Sequence, residues 1–397
     1  MASTLVADSI NPYQQIPLRN GYPSFSPEEI ERRHAALRGL LRERGLDCAL
    51  LSGGGRFNQD MLYMSNWPGG REGYFLLPAQ GEPAVLMQLF NHVHMAKTLS
   101  LVPDTRWAGP DSIVSVATWL RDAGLAKGRI GLIGSVSFSQ FEKLQKELPQ
   151  AVFSNLSSAF RQQRLIRSDE ELAFFRVAAA LTDRSIARMQ ESLKPGIREY
   201  ELAAILEGTY LEVGGYSGIH FMASTPMDNP NVFVPHQYQS DRVLRKGDAL
   251  ISEISGAFWG YSGQIHRTFF LGEPTKAYAH LHETAVMAYE AIEGILRDGT
   301  TVEEVMDAAE IIHERGYTIL DDLLHGANQY PPILRTWKTD HGYPKGFVFR
   351  ENMVVTIQPQ VITEDHRMGL QFGETVRVLK NGVEKLHNFP RQPVIAG

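Results

Sequence analysis

The stretch ALISEISGAFWGYSGQIHRTFFLG, residues 249 to 272, constrains this chain more than any other, because it reads as two strands joined by a short Gly-containing connection. Side chains alternate across a strand, so Gln264, His266 and Thr268 share one face while Ile265, Arg267 and Phe269 share the other. Glu253 stands inside the apolar run LISEIS of the partner strand. A carboxylate there faces either a pocket or an expensive unpaired burial. A structural glutamate paired with Arg267 is the plainer alternative.

The rest of the chain organises around this pair. At 397 residues it is long enough for two packed domains, each with its own core. Residues 1–25 are rich in Ser, Asn and Pro without a period and read as an extended arm that frays or lies across another surface. Ser26-Pro27-Glu28-Glu29 opens a helix as a capping box, and strands and helices then alternate to about residue 162. That is an α/β domain over 26–162. A second capping box, Ser168-Asp169-Glu170-Glu171, begins a long helix that Pro195-Gly196 ends, and the domain over 163–397 starts just before it. Its runs of strands, separated by helix pairs and closed by an Asn381-Gly382 turn, predict an α+β unit with helices outside a curved antiparallel sheet.

Composition removes several classes of function. The formal charge of −6 is modest and interspersed, with no basic stripe to neutralise phosphates, so nucleic acid is not an expected partner. Cys48 is the only cysteine, which excludes an internal disulfide framework and a thiolate-rich metal site. The start MASTLVADSINPYQQ lacks the basic and apolar regions of a signal peptide, and no apolar run is long enough for a bilayer. A cytoplasmic protein without a membrane partner is expected. Gly53-Gly54-Gly55 does not have dinucleotide-binding spacing and reads as a turn, and neither HExxH nor a P-loop is present.

The frame acid-x-x-Gly, then Gly260-Tyr261, then five residues and Arg267-Thr268-Phe269, resembles the ligand hairpin of the creatinase and aminopeptidase P family. The resemblance covers roughly residues 165–390, with a weaker creatinase-type match over the N-terminal domain. It implies a C-terminal pita-bread domain preceded by a smaller α/β creatinase-like domain. In metal-dependent members the hairpin supplies two aspartates, and the matching positions here are Glu253 and Gln264. The family's metal-binding histidine falls on His325, its next glutamate on Gln358 and its last on Gly373, beside Glu374. Two divalent cations need several anionic ligands, so the expectation is no metal and no other cofactor.

Within that family the chain resembles ectoine hydrolases and creatinase, on Arg267-Thr268-x-Phe270-Leu271-Gly272-x-Pro274-Thr275, Tyr330-Pro331-Pro332 and Asn388-x-Pro390-Arg391-Gln392. The resemblance places catalytic roles on Glu253, acting as nucleophile or base, on His236 in NVFVPHQYQ, and on His325. It implies substrate-binding roles for Arg335 and Arg71 as carboxylate anchors, Arg71 from the neighbouring subunit of a homodimer, with Trp67 as an apolar or cation–π wall. Gln264, His266 and Gln358 would read the substrate by neutral hydrogen bonds, with Tyr261 and Glu374 beside them. The expectation is a metal-independent hydrolase opening a C–N bond in a small zwitterionic amidine, guanidine or cyclic amide. The rivals are a metal-dependent Xaa-Pro peptidase or lyase of the same fold, and a non-catalytic pita-bread binding module.

Overall fold

The computed structural model describes residues 11–396, leaving aside the side chains of residues 329 and 330, so the first ten residues of the expected arm lie outside the described residues. The chain forms two compact units, one spanning Tyr13–Arg164 and the other built on Leu165–Gly397. In the first, six strands stand in the order Asp104–Trp107, Ala84–Met87, Gly73–Pro78, Cys48–Gly53, Arg129–Gly134 and Val152–Asn155. The pairing is parallel except where Gly73–Pro78 meets its two neighbours, which makes Gly73–Met87 a hairpin. The later part of the arm is fastened to its own unit. Leu18–Arg19 pairs with Tyr22–Pro23, and the buried Phe25 donates its backbone N–H to Asn66 Oδ1 at 3.0 Å.

The long helix of the second unit begins where the capping box predicts. Helix α1 (Asp169–Ser192) is capped by Ser168, whose side chain accepts from the Glu171 N–H while the Glu171 carboxylate returns a bond to Ser168. Helix α2 (Glu199–Leu211) leads into three long antiparallel strands, β1 (Tyr216–Pro226), β2 (Asp248–Phe258) and β3 (Tyr261–Leu271). After helix α3 (Lys276–Ile295) come β4 (Leu324–Gly326), β5 (Tyr330–Leu334), β6 (Val354–Ile357), β7 (Gln360–Ile362), β8 (Gly369–Gln371), β9 (Gly373–Leu379), β10 (Gly382–Lys385) and β11 (Val394–Ala396). Among the described residues nine of these strands form one sheet in the order β5-β4-β6-β9-β3-β2-β1, with β10 beside β9 and β11 running parallel beside β3. The strands β7 and β8 form a separate hairpin.

Parity decides which residues meet the helices. Leu250 and Ile254 of β2 and Ile265 and Phe269 of β3 pack with Ile186, Met189, Leu202 and Leu206 of α1 and α2. Val355, Ile357 and Val376 pack with Leu281, Ala285, Ala288 and Ile292 of α3. Each such side chain contributes about 1.5–3 kcal/mol when taken fully from water. All of these lie on one face of the sheet, the outer one, as expected for helices outside a curved antiparallel sheet.

Helix α1 comes closest at the glycine pair Gly256 and Gly263, which stand opposite each other in the β2–β3 ladder. A Cβ on Gly263 would lie 2.4 Å from the Ala179 Cα. Thr182 Oγ1 fixes this approach, donating to the Gly263 carbonyl at 2.8 Å and accepting the Gly256 N–H at 2.8 Å. Gly263→Ala is therefore expected to force helix and sheet apart and to destabilise the protein by about 1–3 kcal/mol, read as a lowered denaturant midpoint. An unchanged midpoint would show that the contact is not tight.

Candidate active site

The opposite, inner face of the same strands is polar. Glu253 faces His266 across the β2–β3 ladder and Ser255 faces Gln264, so these four share that face. The ladder continues through Thr375 of β9, which accepts the Gln264 N–H at 2.9 Å and lies 3.1 Å from the Thr356 hydroxyl of β6. Thr356 in turn stands opposite His325 of β4, and Gln358 follows Thr356 at the same parity. The pattern of alternating side chains thus brings Glu253, Gln264, His266, His325 and Gln358 to one face, all buried.

Glu253 has an amide for a close partner. Gln264 Nε2 donates to Glu253 Oε1 at 2.6 Å, and His266 Nε2 lies 3.8 Å from Glu253 Oε2. The alternative pairing of Glu253 with Arg267 does not occur, because Arg267 stands at the other parity and meets Glu374 at 2.6 Å. His325 Nδ1 donates to the Gly326 carbonyl at 2.8 Å, which leaves Nε2 with its lone pair in the neutral ring. Gln358 Nε2 donates to the Asp322 carbonyl at 3.1 Å, and Asp322 Oδ1 accepts from Arg335 Nε at 3.2 Å. Arg335 therefore reaches the loop beside this face while staying about one third exposed, at 32% of its side chain.

Two residues of the cluster were not anticipated, Asp321 and Gln371. Gln371 Nε2 donates to Asp321 Oδ2 at 2.9 Å, and the Gln371 carbonyl accepts from Thr268 Oγ1 at 3.3 Å, which ties Asp321 to the inner face of β3. Burial first, and then the neighbouring Glu253 charge, push the Asp321 carboxyl above its ordinary value. The doublet Asp321-Asp322 directly before LLHG was the available signal, since two acids beside an apolar strand need a reason to be there.

Three expected site residues lie apart from this cluster within the second unit, and two belong to the first unit, as expected of residues of the N-terminal domain. Tyr261 shares the outer parity of Ile265, donates to Glu171 Oε1 at 3.2 Å and packs against Phe174 and Phe175, so it joins the sheet to α1. Glu374 stands opposite Ile265 and accepts from Arg267 and Arg391, each at 2.6 Å, on the outer face. Trp67 and Arg71 belong to the N-terminal unit, the first buried there and the second exposed. His236 is exposed on the loop after β1, where its carbonyl accepts the Met222 N–H at 3.0 Å, and it has no side-chain tie to the Glu253 cluster.

The donor set decides whether the inner face fits a pair of divalent cations. Glu253 and His325 are the donors that remain at the positions of resemblance, Gln264 and Gln358 are neutral, and Gly373 offers nothing. A Cβ at Gly373 would lie 2.2 Å from the Ile357 carbonyl oxygen, so the backbone itself leaves no room for a glutamate there. No group of three His, Cys, Asp or Glu suited to hold a metal ion occurs among the described residues. These residues do not fit a dinuclear centre.

The profile of metallopeptidase family M24 matches residues 173–380, more than half of the chain, and that of the creatinase/prolidase N-terminal domain matches residues 33–166. The Xaa-Pro dipeptidase of Pyrococcus furiosus is 24% identical over 327 residues, covering 81% of this chain and 88% of that protein. The ectoine hydrolase of Halomonas elongata is 24% identical over 403 residues, covering 93% and 97%. The structure of X-Pro aminopeptidase from Thermotoga maritima superposes with a TM-score of 0.78 at 22% identity over 91% of this chain and 99% of that one. The fold is therefore a pita-bread domain preceded by a smaller creatinase-like domain, as the sequence led us to expect.

These matches correct the expected chemistry. Xaa-Pro dipeptidases of two Pyrococcus species and the prolidase structure from Pyrococcus horikoshii stand among them, and the ectoine hydrolase is no more similar in identity. They overturn the reading of a metal-independent amidine, guanidine or cyclic-amide hydrolase, and they do not single out a metal-poor branch of the family. No helix among the described residues is long and apolar enough to cross a membrane.

The outer-face ion cluster makes its own prediction. Burial works to raise the Glu374 carboxyl, but the charges of Arg267 and His387 and the hydrogen bonds from Arg267 and Arg391 outweigh it and hold the group below the usual carboxylate range. A carboxyl whose folded pKa is depressed adds stability above its unfolded pKa and loses it as pH falls through the folded value. Glu374→Gln is thus expected to destabilise by about 3–5 kcal/mol at neutral pH, because the buried Arg267 loses its counter-charge while Arg391 keeps only Glu293. The gap from the wild type should narrow as the medium is acidified below the ordinary carboxylate range, measured by urea titrations across pH. A gap that stays constant with pH would exclude this ion cluster as the cause.

Proposed function

Because this chain belongs to metallopeptidase family M24, we propose that it hydrolyses the peptide bond of a small zwitterionic peptide of the Xaa-Pro kind at the inner face of the β2–β3 hairpin. The observation that carries this reading is Glu253, a buried carboxylate held by a neutral amide at 2.6 Å and paired with no lysine or arginine among the described residues. A carboxylate kept in that state has an acceptor oxygen available for a proton from water.

In this reading Glu253 takes a proton from the attacking water, and Gln264 holds the carboxylate in place through its amide N–H. The proton that Glu253 has taken then moves to the departing nitrogen by way of His325 Nε2, which is free to accept it because Nδ1 is committed to the Gly326 carbonyl. Arg335, whose Nε meets Asp322 at 3.2 Å, offers its remaining guanidinium N–H groups to the peptide carboxylate. The electrophilic help that a metal pair gives in such chemistry has no fitting ligand set among these residues.

The test is direct. Purified protein is expected to release proline from Ala-Pro and related dipeptides, assayed by chromatography as purified and with added Mn2+. Glu253→Gln should lower kcat by roughly 100- to 10,000-fold with little loss of folding. Arg335→Ala should act mainly on KM. Absence of turnover across an Xaa-Pro panel under both conditions, or an unimpaired Glu253→Gln protein, would refute the proposal.

A further inference from the structure

Around Asp321 three glutamine amides do one job, and two of them leave an oxygen over. Gln360 Oε1 accepts the N–H groups of Leu320 and Asp321, at 3.0 and 2.8 Å. Gln371 Nε2 donates to Asp321 Oδ2 at 2.9 Å, and Gln358 Nε2 donates to the Asp322 carbonyl at 3.1 Å. The turn is thereby fixed, and the amide oxygens of Gln358 and Gln371 remain buried without a hydrogen-bond partner. Both residues are almost fully buried, at 2% and 0% exposure, so bulk water does not reach to satisfy them.

Two carboxylates complete the picture, Glu253 and Asp321, neither of which pairs with a lysine or an arginine among the described residues. Unpaired buried acceptors each cost of the order of 1–3 kcal/mol, and a buried charge costs more. A trapped water would satisfy the two amide oxygens but would bring no positive charge to the two acids. A cation rich in N–H donors answers both needs, and a primary ammonium carries three donors and one positive charge.

We propose that Asp321 and Glu253, with the amide oxygens of Gln358 and Gln371, form an acceptor-only cradle for the protonated amino group of the substrate. This rests on the peptide-hydrolase reading for the identity of the substrate and adds Asp321 to the residues that bind it. The position of Asp321 supports the assignment, since burial and the neighbouring Glu253 both disfavour its charged form and an incoming cation would offset both. The cradle would make a free amino group a condition for binding.

The experiment compares Ala-Pro, N-acetyl-Ala-Pro, ethylammonium chloride and Mn2+ alone, on the wild type and on Asp321→Asn, by turnover and by thermal shift. Asn at 321 keeps an oxygen for the Asp322 N–H, and the melting temperature without ligand shows whether the variant folds. Acetylation should lower kcat/KM roughly 10- to 100-fold, mainly through KM, and Asp321→Asn should lower it similarly for Ala-Pro. In the variant the penalty for acetylation should shrink, because the two changes remove the same contact.

Equal turnover of free and acetylated peptide would overturn the cradle and leave the hydrolase reading standing. Absence of turnover, with Asp321-dependent shifts by Ala-Pro and ethylammonium, would uphold the cradle and remove the hydrolase reading. A shift by Mn2+ alone that vanishes in Asp321→Asn and blocks Ala-Pro would overturn the cradle in favour of an inorganic cation. Absence of a shift by any free amine would overturn it outright.

Discussion

Everything at the inner face depends on the pairing register of β2 with β3. Glu253 opposite His266 places one set of side chains towards the polar cluster and the other towards the helices. A slip by one residue would exchange the sets and bury Gln264 and His266 among leucines and phenylalanines. Two features of the outer face resist such a slip. Gly256 and Gly263 admit the backbone of α1, and Arg267 meets Glu374, which also accepts from Arg391. Because that outer cluster satisfies Arg267 and Glu374 by itself, the polar inner face keeps its own carboxylates without a guanidinium to neutralise them.

Period-two alternation was enough to read the inner set, since Gln264, His266 and Thr268 follow from strand geometry alone. The capping box at Ser168 likewise fixed where α1 starts. The same parity rule carried the misplaced residues: Tyr261 is six residues before Arg267 and therefore on its face, and Glu374 follows Gly373 and so points the other way. Adjacency in the chain was mistaken for adjacency in space. Asp321 and Gln371 lie beyond such reasoning, because a loop has no period and the bond between them spans fifty residues.

The substrate class was less legible than the site. The missing carboxylates at Gln264, Gln358 and Gly373 state which ligands the pocket lacks, and that is a different question from which bond it cuts. Similarity to ectoine hydrolase rested on short patches along the chain, some of them with plain structural roles: Arg267 and Arg391 both hold Glu374. Residues that stabilise a shared fold recur across its members whatever the substrate, so such patches carry little information about chemistry.

The charge count links the altered ligands to the rest of the pocket. A pair of divalent cations brings four positive charges and needs nearly as many anionic donors to be held. Replacing carboxylates with Gln264 and Gln358 lowers the negative charge while keeping hydrogen-bonding oxygen at the same places, and the amide N–H groups are then used to fasten Glu253 and the Asp321–Asp322 turn. Asp321 restores one carboxyl on that turn, where Gln371 and the Asp322 N–H position it. The resulting field, two carboxyls with two neutral acceptors, is too weak for four charges. In the reading proposed above it matches one, the charge that the amino end of a small zwitterion carries, and Arg335 beside Asp322 would supply the opposite sign for its other end.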